Sequence, residues 1–291
     1  AAPVVIIQPD AGTTDPWYLP RLDELIGSLK AAGASVIIPA APAPPPASTD
    51  EVNRLRSLLR LEERAGALAN RADPGLLQRQ LKEAEERLGH QQRTAAAIAA
   101  AGNVVLGLAT TEYRPGLSPA SGSCTQRIAA ASALFADPAG TKRATAALVP
   151  AVTALCEAAA AIGHVAFLTD RDGVVRQAAP LLTTESGALP SSALAAIPPD
   201  SKIPRREGAL ARFYSSASSA SGFPVVAAAD VLAGRATDAL RNHYVVIGST
   251  EAGTKGSSAF WATSSLPLES TPSPSACGAS AAILSFTSLM P

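Results

Sequence analysis

Apolar residues recur along this chain in two rhythms. Short, continuous runs rich in β-branched residues at 4–7, 35–38 and 103–109 predict strands buried on both faces. Between the first two, Leu22, Leu25, Ile26 and Leu29 return with helical spacing. That predicts a helix over about 20–32 with one face turned to a core. Such strands alternating with helices argue for parallel pairing, with the crossover helix lying against the sheet. From Asp50 to Arg93 the rhythm changes. Leu58, Leu61, Ala65, Leu68 and Ala72 alternate steps of three and four; after Asp73-Pro74-Gly75 so do Leu77, Leu81, Ala84, Leu88, Gln91, Ala95 and Ile98. Two heptad-like seams about a Pro-Gly turn predict an antiparallel helical hairpin inserted at 50–101, opened by the capping box Ser48-Thr49-Asp50-Glu51.

Further along, residues 113–140 are rich in Gly, Pro, Ser and Ala and predict a loop with short helical turns. Residues 148–162 read as an alanine-rich helix running into an apolar segment at 164–168. Asp170-Arg171-Asp172-Gly173 separates two apolar runs, a hairpin signal because glycine tolerates the turn's positive φ. Strands at 210–214 and 244–249, a helix at 227–233 and a weak C-terminal helix at 279–289 follow. The fold class is α/β: a mostly parallel central sheet flanked by helices, with an antiparallel hairpin addition and the inserted helical hairpin. No linker divides it, so 1–291 reads as one domain.

Charge refines this picture. Lys plus Arg and Asp plus Glu number 24 each, leaving no global field to gather nucleic acid or anionic lipid; no nucleic-acid partner is expected. A hydrophobic fraction of 47% with 16% charge excludes wholesale disorder. Seventeen charged residues, 9 basic and 8 acidic, fall between Asp50 and Arg93. The hairpin is therefore either a solvated helix pair packed on the body or a dimerisation and lever element. The longest uncharged stretch, 270–291, is broken by prolines and has too few large apolar residues to span a membrane. The chain opens on Ala-Ala-Pro and runs straight into a strand, which suggests excision from something longer.

Three cysteines make neither a disulfide scaffold nor a zinc module. Cys124 and Cys156 are 32 positions apart and suit a disulfide in an oxidising compartment; three separate thiols, with Cys277 the third, are the simpler alternative. No nucleophile elbow, Walker A, Gly-x-Gly-x-x-Gly or His-Glu-x-x-His occurs. His90, His164 and His243 lie in different surroundings, so no catalytic, metal or cofactor site is expected. Asp170 and Asp172 imitate the opening of a calcium loop, but no Glu follows at the bidentate position, and the turn reading is preferred. Asp10 ends the first strand and Gly248-Ser249-Thr250 end a late one. Open α/β sheets hold ligands there, although a cap or a tight turn would use the same residues.

The ordered set of motifs resembles a known family. An acid follows the first strand, then Trp17-Tyr18-Leu19-Pro20-Arg21 and a helix ending in Ala-Ala-Gly. Later come Ala101-Gly102-Asn103-Val104-Val105-Leu106, Ile162-Gly163-His164-Val165, Asp170-Arg171-Asp172-Gly173-Val174-Val175-Arg176 and Pro180-Leu181-Leu182. Ala229-Asp230-Val231-Leu232-Ala233-Gly234 then precedes Val245-Val246-Ile247-Gly248-Ser249-Thr250. This is similar to the cyclase and histidine-kinase associated sensory extracellular domain of the second type, CHASE type 2. The resemblance implies an extracytoplasmic sensory domain of a bacterial transmembrane receptor, without catalysis of its own. Its expected partners are its own membrane-spanning and cytoplasmic output domains (a histidine kinase, a cyclase, a serine/threonine kinase or a cyclic-di-GMP enzyme), a second copy in a homodimer, and an unknown small-molecule or physical stimulus. Asp10, Arg21, Asp170, Asp172, Arg176, Ser249 and Thr250 are the candidate ligand contacts. The alternative is a periplasmic small-molecule-binding protein without signalling output.

Overall fold

Valine and isoleucine carry two heavy atoms on Cβ, which stiffens χ1 and fits a pleated surface. Their runs become the strands of the sheet. The computed structural model describes residues 4–9, 15–45, 49–65, 74–112, 123–134, 146–149, 151–166, 168–169, 175–178, 180–184, 187–197, 209–210 and 223–248. Strand β1 (Val4–Gln8) is followed by a 3-10 turn (Pro16–Tyr18), helix α1 (Leu22–Ala31), β2 (Val36–Pro39) and the long helices α2 (Thr49–Ala65) and α3 (Pro74–Ala101). Then come β3 (Val105–Leu108), β4 (Thr110–Glu112), α4 (Ser123–Leu134), β5 (Ala146–Leu148), α5 (Thr153–Ala158) and β6 (Ala161–His164). The remainder holds β7 (Leu168–Thr169), β8 (Val175–Ala178), β9 (Leu181–Thr184), β10 (Gly187–Pro190) and α6 (Ser192–Ala195). It continues with β11 (Ala209–Leu210), β12 (Val225–Ala227), α7 (Ala228–Leu232), α8 (Thr237–Leu240) and β13 (Tyr244–Ile247).

The central sheet has the order β12-β1-β13-β2, every pair parallel. A parallel bridge from Ile37 to Val104 extends it through β3 to β6, which are themselves parallel. Alternation assigns the two faces. Val5, Ile7, Ile37, Leu106, Val245 and Ile247 join one core with Leu22, Leu25, Ile26 and Leu29 of α1, the helical face expected from the sequence. Ile38 and Val105 pack from the opposite face with Ala195 and Ala196. Gly163 permits this second contact, since a Cβ there would stand 2.5 Å from the backbone nitrogen of Ser192. The mixed α/β class with a mainly parallel sheet is therefore correct. Three antiparallel additions join it: β4 with β5, β9 with β10, and β7 and β11 on either side of β8.

Several expected elements differ. The alanine-rich segment 148–162 is helical only over Thr153–Ala158; 146–148 pairs with β4, and 161–164 pairs with β3. Helix propensity yielded there to a place beside a buried strand. The presumed loop at 113–140 contains the three-turn helix α4, pinned to α5 by a Cys124–Cys156 disulfide and by Arg127 donating to the Glu157 carbonyl at 2.7 Å. The hairpin about 170–173 has its arms in β7 and β8, while the turn itself and the expected C-terminal helix lie outside the described residues.

Helices α2 and α3 pack side by side, but two positions of the expected α2 seam do not face α3; the Ala65 side chain, Leu68, Ala72 and the chain at 66–73 lie outside the described residues. Leu58 and Leu61 are 49% and 60% exposed. Val52 is buried and Leu55 and Leu59 are half-buried, so that stripe faces α3. Steps of three and four fit two different stripes of a leucine-rich helix, and only the partner decides between them. Arg56 bonds Glu85 at 2.7 Å and Arg87 meets Glu51 at 3.5 Å, which fixes the antiparallel register and brings the start of α2 roughly level with His90.

Candidate functional site

Beyond His90, α3 has left α2 behind and packs on α1 and α5. A cavity of about 30 Å³ lies at this junction, lined by Trp17, Pro44, Arg87, His90, Gln91, Thr94 and Leu155. Its four polar residues share one face of α3 because they follow i, i+3, i+4 and i+7. Two of the walls come from segments that leave the carboxyl ends of β1 and β2, the side of an open parallel sheet where ligands are held.

Hydrogen bonds fix these walls. Asp15 Oδ1 accepts from the Trp17 backbone N–H at 2.9 Å and so caps the 3-10 turn. Burial pushes the Asp15 carboxyl above its ordinary pKa, and that hydrogen bond opposes the shift. The Trp17 indole N–H donates to the Ala41 carbonyl at 2.9 Å, tying the two loops together. His90 Nε2 stands 2.9 Å from the Trp17 carbonyl; a carbonyl only accepts, so this nitrogen carries the proton. Gln91 Nε2 donates to the Pro45 carbonyl at 3.2 Å. Thr94, 1% exposed, differs: its Oγ1 is buried and has no hydrogen-bond partner among the described residues.

The sequence-predicted contacts are placed less fully. Arg21 stands just before α1, exposed and bonded to Glu24. This pair holds the Glu24 carboxyl below its usual value and the guanidinium above its own. Arg21 does not line the cavity. Arg176 lies in β8, with its side chain outside the described residues. Asp10, Asp170, Asp172, Ser249 and Thr250 also lie outside them. The residues leading to two of these are placed: the Gly248 N–H donates to the Ile7 carbonyl at 3.0 Å, so β1 and β13 end side by side. A Cβ on Gly248 would meet Ala40 at 2.8 Å, which gives that glycine a packing role.

Thr94 and Arg87 escaped the sequence reading. The available signal was the spacing Arg87, His90, Gln91, Thr94 on a helix whose neighbouring seam turns from leucine to alanine. No cluster of three or more His, Cys, Asp or Glu suited to a metal occurs among the described residues, nor does any helix there have the length and apolarity to cross a membrane.

A helical hairpin whose base packs on α1 and α5 beside a two-faced parallel sheet, with a small cavity at that junction, defines an α/β module with a projecting arm. A family model of the CHASE2 domain matches residues 2–271. The chain belongs to that family of extracellular sensory domains. Comparison with curated proteins and with solved structures returned no match.

Proposed function

We propose that this chain is the extracytoplasmic sensory domain of a bacterial transmembrane signalling receptor, passing a conformational or dimerisation change to a cytoplasmic output domain. The observation that carries the reading is the CHASE2 match over nearly the whole chain. The Cys124–Cys156 disulfide supports it, because such bonds persist in oxidising compartments. The stimulus is taken on the carboxyl side of the sheet, where Asp10, Ser249 and Thr250 follow β1 and β13. A ligand acts on such a module only through its different affinity for two arrangements.

In this reading the hairpin supplies the homodimer contact through the exposed Leu58 and Leu61. Deleting the whole insertion would remove Ala95, Ile98 and Ala101 from the core, so point substitutions are the sound test. Leu58→Glu with Leu61→Glu is expected to convert a dimer to a monomer in sedimentation equilibrium. An unchanged mass refutes the hairpin contact. The receptor assignment is tested by reading the coding sequence on either side of this segment. A flanking hydrophobic helix and a downstream kinase or cyclase are expected; a free-standing cytosolic polypeptide would refute it.

A further inference from the structure

We propose that the proline-rich strap after β2 is a stiff connecting rod between the carboxyl end of the sheet and the base of the arm. Its stiffness is local in origin. Residues 40–45 carry prolines at 42, 44 and 45, and each ring fixes its own φ. Each ring also steers the residue before it toward extended backbone, which restricts Ala41 and Ala43 as well. Such a segment passes a displacement along its length, where a glycine-rich one would absorb it.

The strap is also tied to a series of different elements. The Ala40 N–H donates to the Ile247 carbonyl of β13 at 2.8 Å, the Ala43 N–H donates to the Gly107 carbonyl of β3 at 2.7 Å, and the Pro44 carbonyl accepts from the Val152 N–H at 3.3 Å. The Ala41 carbonyl accepts from the Trp17 indole at 2.9 Å, and the Pro45 carbonyl accepts from Gln91 of α3 at 3.2 Å. Trp17 adds a second tie to the arm, since its own carbonyl accepts from His90 at 2.9 Å. One end of the strap therefore holds β13, and the other holds two adjacent residues of α3. No slack exists at the first end: a Cβ on Gly248 would stand 2.8 Å from that of Ala40. Ser249 and Thr250 follow Gly248 directly, so a stimulus taken beside them presses on Ala40 and shifts the seat of α3. This last consequence rests on the sensory reading; the coupling itself does not.

The test needs no ligand, because Gly248→Ala supplies the push in the oxidised 291-residue chain. The readouts are the NMR resonance of the Trp17 indole N–H and hydrogen exchange of the α3 amides from Gln91 to Ala101. Gly248→Ala is expected to shift the indole resonance and to speed exchange of these amides about fivefold, the effect of losing one hydrogen bond. Adding A40G, which removes the methyl that the new Cβ meets, restores both. Adding P42G softens the rod: the indole shift shrinks, and the α3 amides exchange no faster than in P42G alone. Gly163→Ala is the control, since its Cβ would meet the Ser192 nitrogen at 2.5 Å on the opposite face of the sheet. At equal stability in urea it leaves the indole resonance in place. Should Gly248→Ala not fold, Ala40→Ser makes a milder push at the same contact and is read in the same way. An indole and an α3 that do not respond, a response undiminished by P42G, or the same response in Gly163→Ala each overturns the proposal. Such a failure leaves the receptor assignment standing, since gene context decides that separately.

Discussion

Along the first half of α3, Ala84 is buried and Leu77, Leu81 and Leu88 are half-buried, over the stretch that packs on α2. Along the second half Thr94, Ala95, Ile98 and Ala101 are buried, and the last three join the core that contains α1 and α5. One helix of 28 residues, about 42 Å long at 1.5 Å per residue, thus runs a single stripe past two kinds of partner. The outer half is an arm edged by ion pairs with both partners about half exposed. The inner half belongs to the body. An element can therefore look like a separate projection in sequence and still carry a third of its length as core, so its movement and the body's stability are coupled.

The sharpest way to break this contrast is to cut the stripe at one point in each half. Ile98→Ala removes a fully buried side chain between tightly packed helices, and a loss toward the upper end of about 2–5 kcal/mol is expected in urea unfolding. Replacing both cysteines of the Cys124–Cys156 bond by alanine tests the body from another side. Releasing a loop of that length is expected to cost about 3–4 kcal/mol, read as a lower urea midpoint. Leu81→Ala, on the arm and half-buried, should cost only about 1–1.5 kcal/mol. Equal losses for Ile98 and Leu81 would show that the arm is as deeply integrated as the body.

Legibility in the sequence divides along the same line. The body's strands and the buried face of α1 could be read because a two-sided sheet forces continuous β-branched runs and a one-sided helix forces a 3.6 period. What failed were places where tertiary partners outvote local preference. Alanine has high helix propensity in any context, so nothing local told the residues at 161–164 that β3 waited beside them. On α2, Leu58 and Leu61 kept the period as well as Val52, Leu55 and Leu59 did. The cavity was harder still, because its residues come from a 3-10 turn, a proline-rich loop and two helices. Only the Arg87-to-Thr94 face had a periodic signature.

The arm's ion pairs supply a smaller test. Arg56→Ala removes a partner of Glu85 from a pair about half exposed on each side, and exposed pairs of this kind contribute about 0.2–1 kcal/mol, less at high salt. The expected loss therefore shrinks further when salt is raised, whereas the Ile98→Ala loss should not. A salt-independent loss at Arg56 would mean that its aliphatic stem, not its charge, holds the arm together.

The junction between the halves is tested most finely at Asp15, which caps the turn that His90 docks on. Burial raises its carboxyl pKa above 3.8 in the folded chain. The protonated acid is therefore favoured by folding, and the stability this group contributes is fully present below the unfolded value and lost as pH rises through the higher folded one. Asparagine keeps an oxygen to accept from the Trp17 N–H and is as good a cap, but it has no charge to desolvate. Asp15→Asn is accordingly expected to unfold at a higher temperature than the wild type at neutral pH. That advantage should narrow as pH is lowered toward and below 3.8. Carboxylates shifted the other way, such as Glu24, act equally in both proteins and cancel from the difference. A gap that stays constant from neutral to acid pH would place the effect in the cap geometry and free the junction of any charge-burial cost.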